Sequence, residues 1–189
     1  MQVHAYAAKS PKQDLEPFLF DLGELGPNEV DVRITHCGIC HSDVAMVDNN
    51  WGMSQYPLVP GHEIVGTVAA VGSNVDRRTI GQRVGVGPIC GSCMKCEWCE
   101  SGAQHVCAKI VGTTLHGHQG GFGTIVRVNN WQFAFPIPDD IASEHAGPLM
   151  CAGATVFTPL LRHGVRPTDR VAVVGIGCLG HLALQYLSQ

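Results

Sequence analysis

A mainly β domain with a small cysteine-rich lobe, followed by the first strand and helix of an α/β unit, is the fold this sequence predicts. Three observations predict it. The first 150 residues break often at Gly and Pro, with short alternating runs between the breaks. Cys93, Cys96, Cys99 and Cys107 read C-x2-C-x2-C-x7-C within one short stretch. Near Cys151 the texture changes, and an apolar run leads to a β-branched segment and Gly175-Ile176-Gly177-Cys178-Leu179-Gly180.

The elements follow in order. Val30, Val32 and Ile34 alternate with Asp31, Arg33 and Thr35, the period-two pattern of a half-buried strand. Residues 64–71 and 122–128 read as further strands, and Gly72-Ser73-Asn74 and Asp139-Asp140 as turns. Many short strands with turn signals suggest a β-barrel or sandwich. Residues 151–163 read as a helix, with Pro159 as a kink and Gly164 as its C-terminal cap. Pro167-Thr168-Asp169 makes a turn, 170–174 a compact strand, and the chain is helical from His181 onward. The boundary falls at Cys151: residues 1–151 form one domain, and 152–189 begin a second, truncated one.

Bulk properties narrow the function. An apolar fraction of 45% over 189 residues is ordinary for a globular protein with a core. A net charge of −4 points to neither nucleic acid nor an anionic membrane as partner. No apolar run reaches the roughly 18 residues a spanning helix needs. The segment Met1-Gln2-Val3-His4-Ala5-Tyr6 lacks the basic and apolar regions of a signal peptide. Nine cysteines, an odd number with C-x2-C spacing, then indicate metal binding in a reducing, cytoplasmic compartment rather than a disulfide framework.

The four-cysteine run can turn four sulfurs onto one ion, and four thiolates in a tetrahedron form a closed, structural zinc shell. So small a lobe draws its folding energy from the metal. An iron–sulfur cluster is the rival, since soft thiolates suit both. However, the bacterial ferredoxin run places its last Cys three residues on and follows it with Pro. Here the last gap is seven residues and Ala108 follows. Redox-labile thiols without metal are the plain alternative.

A second group is dispersed. Cys40 lies in Gly38-Ile39-Cys40-His41-Ser42-Asp43, His62 in Gly61-His62-Glu63, and Cys151 in Pro148-Leu149-Met150-Cys151-Ala152-Gly153. Only the fold could unite them. A Cys2His set leaves one tetrahedral position open, as a Lewis-acid catalyst requires. Singly, each cysteine reads as a small buried hydrophobe and His62 as a core or surface histidine. Likewise, Gly175, Gly177 and Gly180 follow an expected strand and open an expected helix, the context in which a pyrophosphate sits on a helix N-terminus. A tight helix–strand junction is the alternative there.

Taken together, Cys37-Gly38-Ile39-Cys40-His41-Ser42-Asp43, Pro60-Gly61-His62-Glu63-Ile64-Val65-Gly66, the four-cysteine lobe, Leu149-Met150-Cys151-Ala152-Gly153 and the glycine run resemble the zinc-containing medium-chain alcohol dehydrogenases, in particular the cinnamyl-alcohol-dehydrogenase-like branch. The resemblance implies a GroES-like barrel followed by the start of a Rossmann domain. It implies two zinc ions per chain. Cys40, His62 and Cys151 would hold a catalytic ion, with Glu63 beside it either behind the ligands or as an occasional ligand, and Cys93, Cys96, Cys99 and Cys107 a structural one. Asp43 would orient the His62 ring. Ser42 matches a hydroxyl that passes the substrate proton outward; a helix N-cap is its alternative. His41 matches a position near the cofactor pyrophosphate, or is simply solvent-facing. Thr155 matches one beside the nicotinamide, or bonds back to a helix carbonyl.

The implied activity is hydride transfer between a primary alcohol or aldehyde and NAD or NADP, with the resemblance leaning to NADP. A homodimer in the full-length form is also implied. A non-catalytic zinc-binding fragment and a polyol or threonine dehydrogenase are the competing readings. Family members are roughly twice as long, and the residue selecting NAD or NADP is expected past Gln189. Where many members place a relay histidine, this chain has Ala45. Trp51, Met53, Tyr56 and Leu58 read as a loop bordering the substrate or as core. His116 and His118 read as solvated, Cys37, Cys90 and Cys178 as packing residues, and Cys90 also as an oxidation site.

Overall fold

The computed structural model describes residues 1–188. Its strands are β1 (Gln2–Ala7), β2 (Glu16–Asp21), β3 (Val30–Gly38), β4 (Glu63–Val71), β5 (Arg83–Val86), β6 (Ile89–Gly91), β7 (Val111–Gly112), β8 (Ile125–Val128) and β9 (Phe135–Pro136). Helices α1 (His41–Val47), α2 (Glu97–Glu100), α3 (Ser143–Pro148), α4 (Ala154–Arg162) and α5 (Cys178–Leu187) interrupt and follow them.

Branched residues organise the main sheet, a five-stranded antiparallel array in the order β8-β3-β4-β5-β9. Val30 lies opposite Val71 on one side and Val128 on the other; Val32 lies between Val68 and Val126. These side chains share one face because a strand alternates its side chains. With Ile64, Val84, Val86 and Phe133 they form the principal core. The pairs β1-β2 and β6-β7 make two separate two-stranded sheets. The sheets are therefore open, and the expected closed barrel is not formed among the described residues. No helix is long and apolar enough to cross a membrane among the described residues.

Alternation also places most polar strand residues outward, but Asp31, Glu63 and Arg127 are buried. Asp31, expected on the wet face, is only 1% exposed. Its cross-strand partner is Arg127, which donates from Nε to Asp31 Oδ1 at 2.8 Å and from Nη2 to Oδ2 at 3.0 Å. Arg127 Nη1 also reaches the carbonyls of Leu22 and Glu24, each at 2.7 Å. One buried ion pair thus ties the segment after β2 to the sheet.

Several boundaries differ from expectation. The strand expected at 122–128 begins only at Ile125. Helix α3 starts at Ser143 and ends at Pro148, before the helix expected from 151. A π-helical turn at Leu149–Gly153 then carries Cys151 into α4, which does contain Pro159. Gly164, at φ +61°, follows the α4 cap as expected. Helix α5 starts at Cys178, three residues before His181. The strand expected at 170–174 is absent, since no neighbouring strand among the described residues offers it a ladder. Its backbone groups are left to water, and Val174 is 98% exposed.

Replacing Asp31 with Ala takes away the two-pronged partner of buried Arg127 and leaves it only the Glu29 carboxylate, 3.6 Å from Nε. The variant is expected to lose about 3–5 kcal/mol of stability in urea denaturation; a loss below about 1 kcal/mol would show that the pair is not a strut.

Candidate functional site

Two groups of metal-ligating side chains converge in the structure. The ligand atoms of Cys93, Cys96, Cys99 and Cys107 all lie within 4.8 Å of one another, as do those of Cys40, His62, Glu63 and Cys151.

The first group sits in the lobe between β6 and β7, around α2 and a short 3-10 turn at Gln104–Val106. Its sulfur separations are 3.5 Å for Cys96–Cys99 and Cys93–Cys107, and 3.9 Å for Cys93–Cys99 and Cys96–Cys107. A tetrahedron of sulfurs about 2.3 Å from a zinc ion has edges of about 3.8 Å. These sulfurs therefore fit one ion. A multi-iron cluster would spread them over separate irons, and it does not fit. The thiols also differ in acidity. A backbone hydrogen bond from Lys95 brings Cys93 down to about 6. A backbone hydrogen bond from Cys99 favours the Cys96 thiolate, but burial and the neighbouring thiols outweigh it and push Cys96 up to about 11. Crowded sulfurs share protons in this way, and a dication can replace those protons.

The second group comes from three elements. Cys40 caps α1 with extended backbone, φ −111° and ψ 153°. His62 immediately precedes β4, after Gly61 turns the chain at φ +103°. Cys151 projects from the π-helical turn between α3 and α4, a distortion that often marks functional sites. His62 Nε2 lies 3.3 Å from Cys151 Sγ, near the roughly 3.6 Å edge of a mixed N/S tetrahedron around zinc.

Asp43 organises this group. It is 3% exposed, and its Oδ1 accepts from Gly61 N and pairs with His62 Nδ1, both at 2.8 Å. Its Oδ2 accepts from Cys40 N at 3.0 Å. One carboxylate therefore positions both ligand-bearing segments and aims His62 Nε2 at the cluster, as carboxylates behind metal-binding histidines do. Burial disfavours a charged His62 ring, but Asp43 and Cys151 outweigh it and raise its pKa to about 11. Burial likewise pushes the Cys40 thiol up, yet hydrogen bonds from Ser42 and His62 leave it below its ordinary value. Burial raises the Glu63 carboxyl against the opposing pull of His62. A dication that displaces their protons would find two thiolates, an imidazole nitrogen and a carboxylate within reach.

The cluster opens onto a cavity of about 660 Å³. Cys40, Glu63 and Cys151 line one wall, with His41 and Ser42 beside them. Thr155, Gly175, Gly177, Cys178 and Gly180 line the same cavity. The three glycines have different reasons to be glycine. Gly175 adopts φ +87°, and a side chain on Gly180 would overlap the Gly175 carbonyl. At Gly177 an added Cβ would meet nothing within 4 Å, so its absence leaves the floor of the cavity open before the α5 N-terminus. A helix N-terminus at such an opening is a place where an anion can bind.

The remaining expected residues fall as follows. Ser42 lies in the first turn of α1 and is not its cap, a place Cys40 takes. Thr158, not Thr155, bonds back to a helix carbonyl, that of Ala154 at 2.7 Å. Ala45 is buried in α1 and is not part of the cavity wall. Trp51 and Met53 are exposed, whereas Leu58 is core, and Tyr56 donates to Val47 O at 2.6 Å. His118 is not solvated: its ring pairs with the Arg127 carbonyl at 2.8 Å, and its Nδ1 is buried without a partner. Cys90, wholly buried, is closed to oxidants. Cys178, expected in packing, is exposed on the cavity wall. Its place inside the glycine run was the signal for that. Sequence reasoning also missed the close packing of Gly38 against Glu63, which no spacing reveals.

The sequence matches the family model described as the alcohol dehydrogenase GroES-like domain over residues 26–139. It is 49% identical over 185 residues to an aldehyde reductase, AdhA, of Synechocystis sp., covering 98% of this chain and 54% of that protein. Among solved structures, a cinnamyl alcohol dehydrogenase of Sorghum bicolor, SbCAD4, superposes with TM-score 0.93 at 34% identity, over 100% of this chain and 56% of that one. CAD from Helicobacter pylori, complexed with NADP(H), gives the same TM-score at 33% identity and the same two coverages. The chain spans about half the length of the curated relatives it matches.

Replacing Asp43 with Ala orphans three donors at once. At about 1–3 kcal/mol for each buried unsatisfied group, the loss should exceed about 3 kcal/mol in chemical denaturation. A loss within 1 kcal/mol would remove Asp43 from its organising place.

Proposed function

We propose, for a chain that belongs to the alcohol dehydrogenase GroES-like domain family, that Cys40, His62 and Cys151 hold a catalytic zinc ion with Glu63 beside it. Cys93, Cys96, Cys99 and Cys107 hold a structural one. The whole protein is then a zinc-dependent alcohol dehydrogenase or aldehyde reductase, transferring a hydride between a primary alcohol or aldehyde and NAD(P). One observation carries the reading: residues of the Cys2His cluster and of the glycine turn line a single cavity. Similarity to an aldehyde reductase and to a structure complexed with NADP(H) supports it.

Zinc held there supplies Lewis acidity to a substrate oxygen. The chain's own groups do the rest. Two thiolates balance the formal charge of the ion, and Asp43 keeps the His62 ring fixed. Ser42 Oγ takes the hydroxyl proton of an alcohol and releases it outward. No imidazole continues that relay at position 45, so solvent does. His41, Thr155, Gly175, Gly177 and Gly180 bind the dinucleotide, and NADP is favoured over NAD by resemblance. Residues 1–151 form the catalytic domain and 152–189 begin the Rossmann domain; Gln189 lies outside the described residues. Free thiols in the ligand positions suit a reducing, cytoplasmic setting. A homodimer is proposed for the full-length form.

Metal analysis should find two zinc ions per chain, and chelators should strip the open Cys2His cluster before the closed lobe. Iron, or no metal with all thiols free, would overturn the reading. Cys99→Ser should loosen the lobe and lower the melting temperature, because structural zinc supplies folding energy; Cys40→Ser should remove one ion and leave circular dichroism largely unchanged. In the intact enzyme, Ser42→Ala should cut turnover by about 10²-fold or more, and a silent substitution would assign the proton to another route.

A further inference from the structure

Glu63 reaches the cluster by an unusual path. It pairs directly with Gly38 across the β3-β4 ladder, and directly opposed residues project from the same face. A Cβ built on Gly38 would lie 3.0 Å from Glu63 Cβ and 3.2 Å from its Cδ, and would overlap Oε2 outright. The carboxylate therefore occupies the space of the side chain that Gly38 lacks. From there it comes within 4.8 Å of the donor atoms of Cys40, His62 and Cys151, while only 3% exposed.

The backbone does not require glycine at this position. Gly38 is not among the positive-φ glycines, and it sits at the regular end of a strand. Side-chain space is the remaining constraint, and Glu63 is the residue that fills it. The far side offers no escape. A Cβ on Gly147 would lie 3.2 Å from the Glu63 carbonyl, so α3 packs closely over this stretch of β4.

We propose that Gly38 is a positioning residue: its missing side chain seats the Glu63 carboxylate against the Cys2His cluster and keeps it available as a further donor to the ion. The inference rests on the zinc reading above. It adds that a residue bearing no functional group sets the coordination of the open site.

The test is a double-mutant cycle of Gly38→Ala and Glu63→Ala in the intact protein, using Co2+ as the metal probe. Cobalt ligand-field bands report coordination number and donor set. A purely structural role for Gly38 would not move them in a folded, loaded variant. Gly38→Ala should weaken Co2+ binding at the open site about tenfold, the lower end of the range for groups that position ligands. It should also shift the cobalt spectrum toward that of Glu63→Ala. Added to Glu63→Ala, it should change Kd by less than about twofold, because the group it displaces is already gone. Should Gly38→Ala fail to fold, the double variant should restore folding by removing the carboxylate overlap, the residual Cβ–Cβ approach of 3.0 Å being close enough for a small shift to relieve; a double variant equally unfolded would overturn the inference. Equal losses in both backgrounds would overturn it too, as would a wild-type spectrum in Gly38→Ala. Wild-type protein that takes up no second equivalent of Co2+ would overturn the zinc reading along with it, which separates the two failures.

Discussion

The site depends on the register of β3 against β4. Cys40 follows the end of β3 and His62 precedes the start of β4. The pairing of Gly38 with Glu63 and of Cys37 with Ile64 brings these ends together. A slip of one residue would turn the buried valines of β3 to solvent. Hydrophobic burial in the core thus holds two donors of the cluster in place. The same register puts Glu63 opposite a glycine, the one partner that leaves room for its carboxylate.

Three buried carboxylates show how the fold accommodates charge. Asp31 is matched by Arg127 in the same sheet. Asp43 is matched by two backbone N–H groups and the His62 ring. Glu63 packs among the other donors of the cluster. Buried charge is costly unless paired. The first arrangement is complete within the polypeptide and braces the sheet, whereas the other two converge on a set of thiols and an imidazole suited to a cation. Two kinds of buried charge therefore serve two ends, one structural and one at the cavity.

The cavity joins chemistry from distant parts of the chain. The ends of β3 and β4 and the turn at Cys151 bring thiol, hydroxyl and carboxylate groups. The chain after α4 brings a glycine turn in which the Gly175 carbonyl comes close to Gly180 because Gly180 carries no side chain. Cys151 stands between the two in the chain, since its π-helical turn lies where α3 hands over to α4. That turn places a donor at the junction between the sheet and the helices.

Much was determined by the sequence alone. Alternation predicted β3 because a strand's period is local, an apolar run closed by a turn signal predicted β4, and C-x2-C-x2-C-x7-C predicted the lobe because its four sulfurs are neighbours in the chain. The tertiary structure decided what no local rule contains. It left the sheets open, because closure depends on strand pairing. It withheld the strand at 170–174, because a ladder needs a partner. It buried Asp31, because Arg127 stands opposite, almost a hundred positions away in the chain. It also assembled Cys40, His62, Glu63 and Cys151, seated Glu63 over Gly38, and turned Cys178 toward the cavity. Contacts between remote residues arise only once burial and register have fixed the chain in space, so spacing along the sequence cannot specify them.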